Sequence, residues 1–360
     1  DLDNTYLSYN MVVGEAADIN LSLAFEVLDY ALLSAPGAPL KQALLDAKIG
    51  KDIYGSFEDG IKQTYFSIVA KGANLSQKEE FVKVIRDTLT KIMEEGIDKK
   101  AVTAGINYYE FRFREADFSS YPKGLMYGLD ILSSWLYDDT KPFCEVQLLE
   151  GFEFLKKALE EGYFEDLIRK YLLDNTHGAI LSLVPEKGLA AKRDKELEEK
   201  LENYRKSLSD EELTRMVENT KALEAYQESE EDPETLTCIP MLSREDIKKE
   251  ITGFTNEEHF VDDSLFLYHD VCTNGIGYAD LLFEIHNFDT DTVHYLGLLK
   301  SVLGAVDTEN YSYGELFNEV NARTGGIAYG IEVYDSATDT DAFRARSEER
   351  RVGKECRSRW

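Results

Sequence analysis

The side chains that could do chemistry are few, and their spacing does not suit it. The five histidines are His177, His259, His269, His286 and His294. None begins an H-x-x-E-H or H-E-x-x-H pair, the spacings that put two zinc ligands and a base on one helix face. Glu257-Glu258-His259 has the right residue types in the wrong order and reads as a solvated loop. His269-x-x-Cys272 offers two ligands with no second pair to complete a tetrahedron. There is no G-x-S-x-G elbow and no P-loop, and Gly325-Gly326 reads as a helix stop rather than a phosphate cradle. By its own residues the chain offers no catalytic, cofactor-binding or metal-binding position.

Composition narrows the remaining classes. Three hundred and sixty residues, 43% hydrophobic and 30% charged, suit two or three globular domains. No apolar run approaches the ~18 residues of a membrane span, so no membrane partner is expected. Forty Lys and Arg against 69 Asp and Glu give a net charge of −29, which repels phosphate backbones and argues against nucleic acid. Cys144, Cys238 and Cys272 are too far apart for a disulfide framework and suit a reducing compartment.

The elements that would have to position any site follow from periodicity. Tyr6–Val13 reads as a strand, and Leu21, Phe25, Leu28 and Leu32 mark a helix face. A second helix runs from Pro39 to about Ala47. Ile53–Phe57 and Thr64–Lys71 read as strands about Asp59-Gly60. Ser76 and Glu79 suggest a capping box opening a helix that Gly96 closes. Helices are expected near Lys99–Ala116, Pro122–Tyr137 and Glu153–Leu173, and a strand at Ala179–Val184. Asn74-Leu75-Ser76 and Asn310-Tyr311-Ser312 match the glycosylation sequon but read better as helix starts.

Between Leu189 and Glu230 there is no Gly or Pro. Leu197, Leu201, Tyr204 and Leu208 form one apolar seam; Leu213, Met216, Val217 and Leu223 form another, and Ser209 with Glu212 opens the second helix. A helical hairpin with its seams packed together is expected, the alternative being a free coiled coil. Beyond it, Leu265–Val271 and Ile276–Ile285 read as strands of a hairpin about Asn274-Gly275. Asp291–Leu303 and Ser312–Arg323 read as helices, and Ile327–Tyr334 as a strand. The fold class is therefore α+β: two related units of mostly antiparallel sheet with helices on one face, joined by a long helical hairpin.

Arg346–Trp360 holds six of the basic and three of the acidic residues, shows no periodicity, and reads as a non-native tail. It should be disordered. At the other end, Asp1 stands close before a strand with no Met, as in a piece of a longer protein.

Four stretches, Gly37–Ile68, Ile106–Asp139, Thr273–Ile285 and Tyr311–Ile327, occur in order around the charged hairpin. With it they resemble the presequence-protease branch (subfamily C) of the insulinase-type, inverted-zincin M16 metallopeptidases over residues 5–345. The resemblance implies a second α+β domain of the M16 C-terminal type at 1–186 and a charged hairpin hinge at 187–240. At 241–345 it implies an incomplete third α+β domain, the associated domain of that subfamily. It further implies a peptide chamber for short unstructured peptides, and zinc held outside this chain by an N-terminal domain, with a fourth domain following. No family catalytic residue maps onto a position here. The implied role is a non-catalytic central fragment of a zinc-dependent metalloendopeptidase, cytoplasmic if bacterial and in an organelle matrix if eukaryotic. The alternative is a non-enzymatic structural or peptide-binding subunit.

Overall fold

The computed structural model describes residues 4–354 apart from 231, 239, 248, 251–252, 254, 285–289, 336–338 and 340–342. It opens on β1 (Thr5–Glu15), whose residues alternate between buried and part-exposed, so Leu7, Tyr9, Met11 and Val13 share one face. Helix α1 (Ile19–Asp29) is capped by Asp18, whose carboxylate accepts from the Leu21 amide, and runs into one widened π turn at Tyr30–Ser34. Then come α2 (Pro39–Asp46), β2 (Asp52–Glu58), β3 (Gln63–Ala73), α3 (Lys78–Glu95), α4 (Lys99–Glu115) and α5 (Lys123–Trp135). Helices α6 (Leu149–Ala158) and α7 (Tyr163–Leu167) precede β4 (Gly178–Leu183). The four strands form an antiparallel sheet in the order β2-β3-β1-β4.

Its core is one apolar cluster. Leu7 and Met11 of β1, Phe66 and Ile68 of β3, Phe25 and Leu28 of α1, and Phe81 and Ile85 of α3 are all essentially inaccessible to solvent. A fully buried Leu or Phe contributes ~1.5–3 kcal/mol, so this cluster dominates the stability of residues 1–185.

Two local features differ from the periodicity. The capping box belongs to Asn74 and Gln77 rather than Ser76 and Glu79: Gln77 Oε1 accepts from the Asn74 amide at 2.9 Å. A single 3-10 turn at Leu75–Gln77 leads into α3 and moves the cap two residues earlier. The single helix expected over Glu153–Leu173 is broken at Gly162, whose φ of +80° stops α6 and its 3-10 extension before α7 and a π turn (Ile168–Leu173).

Contacts divide the chain into two compact units, residues 1–185 with 272–360, and residues 186–271. The second unit contains α8 (Leu189–Ser207) and α9 (Asp210–Glu228), with the Ser209–Glu212 capping box between them. The two seams are not buried against each other: Leu197, Leu201 and Leu223 stay 53–56% exposed. A short α10 (Pro233–Leu236) follows, then β5 (Glu257–Val261) and β6 (Ser264–Tyr268). Glu257–His259 is thus a strand rather than a loop, and the Leu265 strand pairs with it rather than with Ile276–Ile285. The reason is local. Asp262 takes a left-handed conformation (φ +51°) that lets the chain reverse at once.

In the first unit, β7 (Ile276–Glu284), α11 (Thr290–Val302), α12 (Tyr313–Arg323), β8 (Gly326–Asp335) and β9 (Phe343–Lys354) complete the chain. Asn274-Gly275 does turn through positive φ, but β7 pairs with β9, which lies between β7 and β8. Up to Lys354, the segment expected to be disordered is therefore strand. Both β7 and β8 leave a row of backbone donors and acceptors open, and a third strand satisfies both rows whatever its side-chain pattern. Residues 355–360, Ile285, His286 and most of the acidic stretch 335–341 lie outside the described residues.

Helix α12 seats on α4. Asn107 Nδ2 donates to the Ala322 carbonyl at 2.5 Å, and Asn321 Nδ2 donates to the buried Tyr30 hydroxyl at 3.0 Å. The Tyr30 ring stacks with Tyr108 and Phe317, at 5.4 and 6.5 Å. Gly325 is required there because a Cβ would overlap the Phe111 ring.

Candidate functional site

The residues singled out by type do not assemble. The backbone carbonyl of His177 accepts from Val12 beside β4. His259, on β5, lies 3.6 Å from Glu257 and tilts over Phe266. His269 Nδ1 is 3.1 Å from the Thr255 carbonyl, Cys272 is exposed, and His294 is exposed on α11. Cys144, Cys238 and Cys272 are free thiols. Among the described residues no three His, Cys, Asp or Glu side chains converge as a metal site, so these residues do not fit a zinc centre.

What the structure does bring together is a group of carboxyls that sequence reasoning missed. It is built on α1, where Glu26 and Asp29 are one turn apart on the same side. Asp29 is nine-tenths buried. The π turn after α1 returns Ser34 to it, and the Ser34 hydroxyl donates to Oδ2 at 2.5 Å. Its other oxygen, Oδ1, has no hydrogen-bond partner and sits over Gly55 of β2, where a Cβ would overlap it. Burial raises the Asp29 carboxyl above its ordinary range, and the Ser34 bond only partly offsets this.

Around Glu26 the charges are mostly alike. Burial first, then Asp59 and Glu145, push its carboxyl up to about 8, with Arg112 opposing. Glu145 is pushed to about 7 by burial and by Asp59 and Asp130, and its Oε1 is buried without a partner. Asp59 and Asp130 are raised too, each chiefly by burial. On α4, burial likewise raises the Tyr109 phenol, while Arg112 donates to the Tyr108 hydroxyl at 2.9 Å and lies over that ring. Such a group can hold and release protons near neutrality. No nucleophile or convergent ligand set accompanies it among the described residues.

Helix α5 lies above this group with its faces reversed. Leu125, Leu129, Leu132 and Leu136, at helical spacing, are 41–68% exposed. Asp130 and Ser134 lie on the opposite side, and Ser134 is the one residue of α5 that is fully buried. A clue was present in the sequence: Glu26 and Asp29 are the charged residues of a mostly apolar α1, and Gly55 interrupts a strand.

Comparison with known proteins supplies what the side chains do not. The peptidase M16 inactive domain matches residues 1–109, and the family described as associated with subfamily C of peptidase M16 matches residues 183–349. Protein HypA of Clostridium perfringens (strain 13 / Type A) is 43% identical over 340 residues, 94% of this chain and 35% of that protein. Presequence protease 1, chloroplastic/mitochondrial, of Arabidopsis thaliana is 32% identical over 316 residues, 86% of this chain and 29% of its own length. The chain thus spans about a third of the curated relatives it matches. The crystal structure of pitrilysin superposes over 99% of this chain and 35% of its own at a TM-score of 0.41 and 14% identity, too loose a likeness to add to the sequence matches.

Proposed function

Because the chain belongs to the M16, insulinase-type peptidase family, we propose that it is the non-catalytic centre of a zinc-dependent metalloendopeptidase, forming part of the wall and hinge of a peptide chamber. In this reading residues 1–186 are the second α+β domain, 187–240 the hinge, and 241–345 the third domain. The zinc domain would precede them and a fourth domain would follow. The observation that carries the proposal is the order of the two family matches, an inactive peptidase domain followed by the subfamily's associated region.

The chemistry of the chain supports the division of labour. Hydrolysis by a zinc peptidase needs a metal with an open coordination position and a base for its water. Among the described residues no group of His, Cys, Asp or Glu forms such a metal site. What they build is one well-packed α+β core and several apolar surfaces at its margin. The substrates in this reading are short unstructured peptides, and closure of the chamber would gate turnover.

The test is to incubate the purified chain with a fluorescently labelled unstructured peptide, following anisotropy and intact mass together. The proposal expects saturable binding with the peptide left whole. Cleavage, or no binding at any attainable concentration, would overturn it.

A further inference from the structure

The segment from Lys123 to Val146, α5 and the 3-10 turn at Cys144–Val146, is a strap rather than a core element. It holds to itself through the Ser134 hydroxyl, which donates to the Lys141 carbonyl at 3.0 Å. Two side-chain hydrogen bonds tie it to the body, from the Tyr137 hydroxyl to the Gly60 carbonyl at 3.4 Å and from Lys141 Nζ to the Ala17 carbonyl at 3.1 Å, and the Tyr127 ring meets Phe118 edge-on at 5.4 Å. Its leucines face solvent, so apolar burial contributes little to holding it down.

Beneath it, the strap meets the body carboxyl to carboxyl. Asp130 and Glu145 come from the strap, Asp59 from the β2–β3 turn and Glu26 from α1, with Asp29 one turn behind Glu26 and Glu58 next to Asp59 at the end of β2. From α4 come Tyr109 and the cation Arg112, which opposes the charge on Glu26. Lys141 of the strap points to the Ala17 carbonyl. Two buried carboxyl oxygens, Asp29 Oδ1 and Glu145 Oε1, have no partner. With the carboxyls protonated, the strap rests on neutral groups. Once they ionise, like charges stand close together away from water, and the interaction becomes repulsive.

We propose that the strap over residues 123–146 is a proton-sensitive flap, seated while the carboxyls beneath it carry protons and lifted when they lose them. This holds whatever reaction the larger protein performs. It needs only solvent protons, which Glu26 and Glu145 exchange between about 7 and about 8.

Trp135 on α5 is 48% exposed with the strap seated, so its covered half reports lifting of the strap. The chain has two tryptophans, and Trp360→Phe leaves Trp135 as the sole emitter. Acrylamide quenching of Trp135 in that variant is expected to rise with pH, with its midpoint between about 7 and about 8. Adding Glu26→Gln and Glu145→Gln should give a flat profile at the low-pH level, since neutral amides of the same shape imitate the protonated pair. Tyr137→Phe with Lys141→Met, which cuts both ties and touches no carboxyl, should show the high quenching already at pH 6. A flat profile in the parent, or an unchanged rise in the Glu26→Gln/Glu145→Gln variant, would overturn the proposal.

Discussion

Gly55 and Asp29 illustrate how much one missing methyl can matter. The Asp29 carboxyl occupies the space a Cβ on Gly55 would take. Gly55→Ala should therefore cost ~1–3 kcal/mol, as overpacking of a tight site typically does. Chemical denaturation measures that cost, and pairing the change with Asp29→Ala should recover part of it, because the carboxyl is gone while Leu33 Cδ1 still lies 2.6 Å from the added methyl. Protonation belongs to the same scale. The Glu26 and Glu145 carboxyls have folded values above their unfolded 4.5, so each binds its proton more tightly in the folded chain. Their contribution to stability is complete below pH 4.5 and is lost as pH rises through about 7 and about 8. The melting temperature should fall between pH 5.5 and 8.5 and flatten in Glu26→Gln/Glu145→Gln. A melting temperature that climbs over that range would contradict the assignment.

At the scale of elements, the periodic segments were legible and their partners were not. The run Tyr6–Val13, the helix faces built on Leu21 and Phe25, and the Ser209 capping box all form where the spacing puts them. These are local effects, governed by neighbours within a turn or two. The misjudged features depend on longer range. The strand at Leu265 pairs backward with Glu257–Val261, and β7 pairs with a segment that has no strand signature. The carboxyl group was hidden for the same reason, since Glu26, Asp59, Asp130 and Glu145 come from four elements and only the tertiary fold brings them together. The hairpin supplies a sharp test. With Leu201 more than half exposed, Leu201→Ala should change stability by less than about 0.5 kcal/mol, the usual range for a surface site. A loss of ~2–5 kcal/mol, typical of a packed leucine, would mean the seams are closed in solution. The seat of α12 on the first unit should behave in the opposite way. Asn321→Ala strips the buried Tyr30 hydroxyl of its donor and should cost ~1–3 kcal/mol.

For the molecule as a whole, fold and chemistry are separate questions. An α+β scaffold hosts many activities, and here the sequence matches identify the family, while among the described residues no group of side chains forms a metal site. Among the described residues no helix is long and apolar enough to cross a membrane, and the net charge of −29 gives the chain a strongly acidic character. The proposed function gives this chain a structural part in a zinc peptidase and not its metal. The most direct measurement is metal content by plasma mass spectrometry on the purified 360-residue chain after dialysis against micromolar zinc. The account predicts far less than one zinc per chain, and a value near one zinc per chain would contradict it.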